Sequence, residues 1–224
     1  MGLQLKWGVA GVGMIAHDFL TALGTLPAEQ HKVVAVAGKD LDRVHRLATL
    51  HKINTAYEGY EPLARDDSID IVFVSVLNLQ HYEITKLMLE NGKHVLCEKP
   101  MGMTYKQTKS LVDLAREQKV FLLEGMWSRF FPAYDALDQH ISSGGLGDIY
   151  HISIQFGVEI NDIERNFWTI SGVPPYCKYR QQTTRNGVYP KENTSFISTT
   201  VRVSVMRYKS AGTALVKVCW KARK

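Results

Sequence analysis

Residues 8–16 read Gly-Val-Ala-Gly-Val-Gly-Met-Ile-Ala and contain a G-x-G-x-x-A pattern that decides the fold. The apolar run Leu5–Ala10 precedes the second glycine, and a run with helical spacing, 14–26, follows the third. Gly11 allows a tight turn, and Gly13 leaves room for a phosphate beside the backbone. A strand before the pattern and a helix after it are the context in which it binds a dinucleotide. The alternative is a glycine-rich turn that serves only packing.

Strands and helices alternate from residue 5 to residue 124. After the first pair, strands are predicted at 32–38, 53–57, 70–76, 94–98 and 120–124, and helices at 41–51, 62–65, 82–91 and 104–118. This alternation predicts an α/β fold, a Rossmann-type doubly wound parallel sheet. A helix at 130–142 and an alternating strand at 149–158 would begin an incomplete or divergent α+β C-terminal region. Only weak strand candidates follow, at 195–205 and 213–220.

The end of the second predicted strand indicates which dinucleotide the chain prefers. Chains that bind NAD usually place Asp or Glu there to hold the ribose 2′-hydroxyl. This chain has Gly38-Lys39, and Arg43 follows one helical turn later. Two cations can converge on a 2′-phosphate, so the sequence favours NADP over NAD. Asp40, which lies between them, is expected to cap the next helix; the alternative is that both cations are ordinary surface residues.

A lysine follows the fifth predicted strand, at the sheet edge where open α/β sheets bind ligands. Within Glu98-Lys99-Pro100, Lys99 is placed to hydrogen-bond a substrate oxygen and to transfer a proton while hydride moves. His81 follows the fourth strand and Trp127 follows the sixth, so both are candidates for a substrate pocket at this edge. The simpler alternatives are an exposed lysine, a structural histidine and a core tryptophan.

Four stretches together resemble one known family. They are GVAGVGMIAHDF at 8–19, HVLCEKPMG at 94–102, LLEGMWSRFFPA at 122–133 and LGDIYHISIQFG at 146–157. Over residues 3–164 the chain is similar to the oxidoreductases that include glucose–fructose oxidoreductase, inositol dehydrogenase and MocA-like proteins. Within that family it most resembles the group that oxidises trans-1,2-dihydrobenzene-1,2-diols and D-xylose-like sugars with NADP⁺.

The resemblance implies roles for particular residues. Lys99 would be the catalytic lysine, Trp127 and Phe156 would line the substrate pocket, and His81 would lie near the nicotinamide. The residues expected around the cofactor are Gly8, Gly11, Gly13, Met14, Ile15, Lys39, Arg43 and Glu98. The resemblance also implies a homodimer, although the family pattern stops near residue 165, which argues against dimerisation here.

The charge distribution changes where the resemblance ends. Residues 1–164 contain 15 Lys and Arg against 21 Asp and Glu, whereas residues 165–224 contain 12 Lys and Arg against one acid. We therefore assign 1–125 to an NADP-binding Rossmann domain, 126–164 to the start of a substrate or dimerisation domain, and 165–224 to a divergent basic tail. Repulsion between its charges predicts a poorly ordered tail that proteases cut readily. A second interpretation follows: an incomplete NADP-binding module whose tail contacts an acidic partner.

Composition excludes several classes of protein. The three cysteines, Cys97, Cys177 and Cys219, form neither zinc spacing nor a disulfide framework, so we expect no metal and a reducing, cytoplasmic compartment. No apolar run is long enough to span a bilayer, and no nucleic-acid motif accompanies the basic tail. The expected partner is a small-molecule substrate.

Overall fold

A computed structural model describes residues 4–147 and, for their backbones alone, the two strands 151–155 and 202–206. The described residues fall into two compact units. The first contains residues 4–126, and the second contains residues 127–147 together with the two strands.

The first unit is a parallel sheet covered by helices. Its strands are β1 (Leu5–Ala10), β2 (His31–Gly38), β3 (Thr55–Glu58), β4 (Ile71–Val74), β5 (His94–Cys97) and β6 (Leu122–Glu124), in the spatial order β3-β2-β1-β4-β5-β6. The helices are α1 (Met14–Leu23), α2 (Leu41–His51), α3 (Glu61–Arg65), α4 (His81–Glu90) and α5 (Tyr105–Gln118), with a 3-10 turn at Asn78–Gln80. This order confirms the predicted Rossmann architecture. The order in which strands are added to the sheet reverses between β1 and β4, where such sheets open a ligand crevice.

The core lies on both faces of the sheet. One cluster contains Leu63, Val72 and Leu111, and a second contains Val9 and Val44. All five side chains have no exposed surface. Burial on both faces explains why β1, β2 and β4 read as continuous apolar runs rather than alternating ones.

Several strands are shorter than predicted, and in β6 and β4 neighbouring elements use the backbone groups of the missing residues. The strand predicted at 120–124 begins at Leu122, since the Val120 amide donates to Ala115 at the end of α5. The strand predicted at 70–76 ends at Val74, and the carbonyl oxygen of Val76 faces the His81 ring instead. The first helix ends at Leu23 rather than residue 26, because Gly24 forms its C-cap.

The second unit contains a 3-10 turn (Trp127–Phe130), helix α6 (Pro132–Ser142), and strands β7 (His151–Gln155) and β8 (Arg202–Met206). The predicted helix at 130–142 begins at Pro132, a residue that favours the first helical position. Strands β7 and β8 pair antiparallel.

Strand β8 overlaps the weak strand candidate predicted at 195–205, and it pairs with the strand predicted at 149–158. The sequence of β8, Arg-Val-Ser-Val-Met, alternates sufficiently for sheet pairing although its surroundings are basic. The strand candidate at 213–220 and the remainder of the tail lie outside the described residues, and the assignment of domains remains a prediction. No helix in the described part of the chain combines the length and apolarity needed to cross a bilayer.

Candidate active site

The turn after β1 is built so that only glycine fits at its centre. Gly11 has a φ of +112°, and its amide donates to the carbonyl oxygen of Ala37 at 2.9 Å. A Cβ atom at this position would lie 2.6 Å from the carbonyl oxygen of Ser75. Backbone therefore packs against backbone where β1 meets β4, at the crevice of the sheet.

The next glycine faces open space. A Cβ atom at Gly13 would meet no atom within 4 Å, although its φ of −86° is ordinary. Helix α1 begins at Met14 with no side-chain cap on its first N–H groups, whereas Asp40 caps α2 by accepting from the Arg43 amide at 3.1 Å. Uncapped N–H groups beside an empty cradle fit the pyrophosphate of a dinucleotide. Met14 and Ile15 stand in the exposed first turn of α1.

Gly8 has a different role from the other two glycines. It is buried within β1, and a Cβ atom there would approach Leu63 and Ile69 to 3.1 Å. The structure gives Gly8 a packing role in the core, although the sequence analysis grouped it with the cofactor residues.

The predicted phosphate cations lie beside the glycine loop. Lys39 is exposed at the end of β2, and the Arg43 guanidinium donates to the carbonyl oxygen of Val12 at 3.3 Å. An open cleft of about 350 Å³ adjoins Arg43, and it is lined by Val12, Gly13, Met14, His17, Arg43, Arg46, Leu47 and Leu50. Sequence reasoning missed His17 and Arg46. The signal for Arg46 was its spacing, because residues three apart on a helix share a face.

His17 also links α1 to α2. Its Nδ1 atom lies 2.8 Å from Nε2 of His51, so one nitrogen donates and the other accepts. Burial lowers the pKa of His51, and the neighbouring His17 lowers it further. The folded chain therefore favours the neutral form of His51.

The predicted catalytic lysine lies at the same carboxyl edge, on the other side of the crevice. Lys99 is exposed, and its amide donates to Oε2 of Glu98 at 3.2 Å. The Lys99–Pro100 peptide bond is cis. Glu98, expected near the cofactor, thus holds the backbone of Lys99. Within residues 4–147 the Lys99 ammonium makes no hydrogen bond or ion pair, so it is available to a ligand.

Two further side chains hold the loop that carries Lys99. Oε1 of Glu124, at the end of β6, accepts from the Met101 amide at 2.8 Å. Nδ1 of His81 lies 2.7 Å from the carbonyl oxygen of Pro100, and Nε2 lies 3.0 Å from that of Val76. Only 1% of His81 is exposed, so its geometry favours the structural alternative over substrate contact. No sequence motif singled out Glu124.

Other reactive chemistry is absent from the described part of this edge. Burial, with help from the carboxylates of Glu124 and Glu98, raises the pKa of Cys97 to about 12. Cys97 is therefore a protonated thiol rather than a nucleophile. Among the described residues, no group of three or more His, Cys, Asp or Glu side chains could hold a metal ion.

The aromatic residues of the expected substrate pocket belong to the second unit. Trp127 is 61% exposed and makes an edge-on contact with Phe131, with 5.5 Å between ring centroids. It is therefore not a core residue. Phe156 lies outside the described residues, so its predicted role stays a prediction.

Comparisons with known proteins agree with this arrangement. Residues 5–126 match the family model Gfo/Idh/MocA, described as an oxidoreductase family with an NAD-binding Rossmann fold. Trans-1,2-dihydrobenzene-1,2-diol dehydrogenase of Xenopus tropicalis is 43% identical over 163 residues, which are 73% of this chain and 49% of that protein. The Homo sapiens enzyme of the same name is 40% identical over the same coverage. The chain thus spans about half the length of the curated relatives it matches.

Solved structures show the same fold. A 3-ketoreductase from Actinomadura kijaniata, KijD10, in complex with NADP and TDP-benzene, matches with a TM-score of 0.65 and 29% identity over 71% of this chain and 48% of that one. A scyllo-inositol dehydrogenase from Lactobacillus casei, with NAD(H) and scyllo-inositol bound, matches with a TM-score of 0.64 and 21% identity over 69% of this chain and 45% of that one. Neighbours of this fold therefore use either dinucleotide.

Proposed function

Because this chain belongs to the Gfo/Idh/MocA oxidoreductase family, we propose that it binds NADP and oxidises a trans-dihydrodiol or a D-xylose-like aldopyranose, with Lys99 as the catalytic residue. One observation carries the proposal. The exposed Lys99 side chain and the open cradle at Gly13 lie at the same carboxyl edge of one sheet, on either side of its crevice. The curated relatives named for dihydrodiol oxidation support the substrate class.

In this proposal, one set of residues binds the cofactor and another residue accepts the substrate proton. The N–H groups at the start of α1 bind the pyrophosphate, and Lys39 and Arg43 bind the 2′-phosphate that distinguishes NADP from NAD. NADP⁺, when bound, supplies the acceptor for a hydride. Lys99 Nζ, as the free amine, accepts the proton of the substrate hydroxyl while the carbon that bears this hydroxyl loses its hydride. A hydride, which carries two electrons, leaves the carbon, one proton leaves the hydroxyl oxygen, and a carbonyl product forms.

A steady-state assay on the full chain tests the proposal. NADPH formation is followed with trans-1,2-dihydrobenzene-1,2-diol and with D-xylose. We expect Lys99→Met to lower kcat by about 10²–10⁴-fold, the usual contribution of a general acid–base group, with NADP⁺ affinity nearly unchanged. Lys106→Met, an exposed lysine on α5, is the matched control. A Lys99→Met variant with near-normal kcat would show that Lys99 is structural.

A second candidate function rests on the charge of residues 165–224, which is +11. In this candidate the chain holds NADP without turnover, and the basic segment contacts an acidic partner. Tight NADP⁺ binding with no oxidation of either substrate favours this function over the first. Turnover of either substrate favours the enzyme.

A further inference from the structure

A single peptide group beside Lys99 is held at both ends. The carbonyl oxygen of Pro100 and the amide of Met101 belong to the same peptide bond, and they point in opposite directions. His81 contacts the oxygen at 2.7 Å, and Glu124 accepts from the N–H at 2.8 Å. We call this arrangement the peptide clamp. Its two side chains come from different elements, since His81 begins α4 and Glu124 ends β6.

The second ring nitrogen of His81 also faces a hydrogen-bond acceptor. Nε2 faces the carbonyl oxygen of Val76 at 3.0 Å, so both ring nitrogens point at acceptors. A neutral imidazole has one N–H and would turn a lone pair towards one of these oxygens. His81 is buried, so no bulk water relieves such a mismatch. A ring that carries hydrogen on both nitrogens would satisfy both carbonyl oxygens.

Hydrogen on both ring nitrogens would give His81 two charge-assisted hydrogen bonds, which are about twice as strong as neutral ones. At the far end of the clamp, the Glu124 carboxylate faces the N–H pole of the same peptide. The peptide dipole is thus aligned between a donor pair and an anion.

The clamp acts on Lys99 through the backbone. The Lys99 amide is already held by Glu98, and the Pro100–Met101 peptide comes one peptide bond later, after the Lys99–Pro100 bond. Anchors on both sides leave the Lys99 side chain as the free part of the loop. Positioning of a reacting group within a few tenths of an ångström requires supports of this kind.

We propose that His81 and Glu124 position Lys99 by clamping the Pro100–Met101 peptide, with His81 donating from both ring nitrogens. Neither residue touches the reacting atoms, so both are positioning residues. The link to catalysis rests on the proposed function of Lys99, whereas the clamp itself does not.

Two measurements test the clamp without any need for activity. Nitrogen-15 spectra of histidine-labelled full chain report which ring nitrogens carry hydrogen in neutral buffer, and His81→Phe assigns the His81 signals. We expect hydrogen on both nitrogens of His81. His94 provides an internal contrast, because its Nδ1 accepts from the Phe121 amide and so carries none. A bare nitrogen on His81 would overturn the two-donor arrangement.

Amide relaxation then reports on positioning. We expect order parameters of about 0.85 at Lys99 and Met101 in the parent chain, falling below about 0.6 in Glu124→Ala. Glu124→Gln keeps an acceptor oxygen and should restore rigidity, which a general loss of packing would not. Glu117→Ala, an exposed glutamate on α5, should change nothing. Unchanged order at Lys99 and Met101 in Glu124→Ala would overturn the proposal, even where His81→Phe fails to fold.

Steady-state kinetics test whether the clamp acts on turnover through Lys99. We expect Glu124→Ala to lower kcat about tenfold with KM and NADP⁺ affinity nearly unchanged, a split that indicates misplacement of a reacting group. Glu124→Gln should recover most of the loss. If Lys99→Met retains full turnover, the proposed role of Lys99 fails while the spectra still decide the clamp. If Glu124→Ala lowers the order parameters at Lys99 and Met101 but leaves kcat unchanged, the proposal that the clamp positions Lys99 for catalysis is overturned.

Discussion

The glycine loop and the lysine loop stand on either side of the same crevice but are held by different means. Backbone atoms hold the glycine loop, where Gly11 fits against Ser75 with no room for a side chain. Polar side chains hold the lysine loop, where Glu98, Glu124 and His81 bind its peptide groups. The glycine loop therefore depends on the absence of side-chain atoms, and the lysine loop depends on particular hydrogen-bonding atoms. Substitutions should therefore affect them in different ways.

Gly11→Ala should produce the largest effect. The new methyl group would combine a strained φ of +112° with a 2.6 Å approach to a backbone oxygen. We expect the free energy of unfolding to fall by about 2–5 kcal/mol, the sum of backbone strain and overpacking. Urea unfolding followed by circular dichroism measures this. A variant as stable as the parent would show that the turn can relax, contrary to the comparison.

The cations beside the glycine loop should have the next largest effect. Replacing Lys39 and Arg43 together by Ala should weaken NADP⁺ binding about 30- to 100-fold, since hydrogen bonds to charged groups contribute about 1.5–3 kcal/mol. Affinity for NAD⁺, which lacks the 2′-phosphate, should hardly change. Fluorescence titration with both dinucleotides measures the preference, with Lys106→Ala as control. Equal affinities in the parent chain would contradict this prediction.

Gly13→Ala separates folding from binding within the glycine loop. Its Cβ atom would meet nothing within 4 Å, so we expect unfolding in urea to match the parent. The methyl group would enter the pyrophosphate cradle and weaken dinucleotide binding by about tenfold, or about 1.4 kcal/mol. Unfolding and titration on the same sample measure both. A loss of stability with binding intact would reverse the roles assigned to the two glycines.

The smallest effect concerns pH. The pKa of His51 is lower in the folded chain than the 6.5 of the unfolded one, so the unfolded chain binds more protons between these values. The contribution of neutral His51 to the free energy of unfolding is therefore fully present above about pH 6.5, and it is lost as the pH falls through the pKa of the folded chain. His51→Gln should flatten this part of the stability profile in urea unfolding. His45→Gln, an exposed histidine on α2, should leave the profile as steep as in the parent.

The order of elements was predictable because local pattern determines it. Continuous β-branched runs predicted β2 and β4, and Asp40 and Thr104 predicted where α2 and α5 begin. Element ends were less predictable, as at Val76 and Val120, since they depend on which distant group takes the last hydrogen bonds. The pairing of β8 with β7 was missed for a similar reason, because about fifty residues separate the two strands.

The residues of the candidate site were likewise predictable from the sequence only in part. The sequence by itself determined the glycine pattern, the cations at 39 and 43, and the lysine after β5, because each occupies a fixed offset from a strand end. Only the tertiary structure decided that Gly8 serves the core, that Arg46 joins Arg43 at one cleft, and that His81 and Glu124 hold a single peptide. His81 and Glu124 are 43 positions apart in the chain. Nothing local relates such residues, and they meet because the parallel strands β4, β5 and β6 all end at one edge of the sheet.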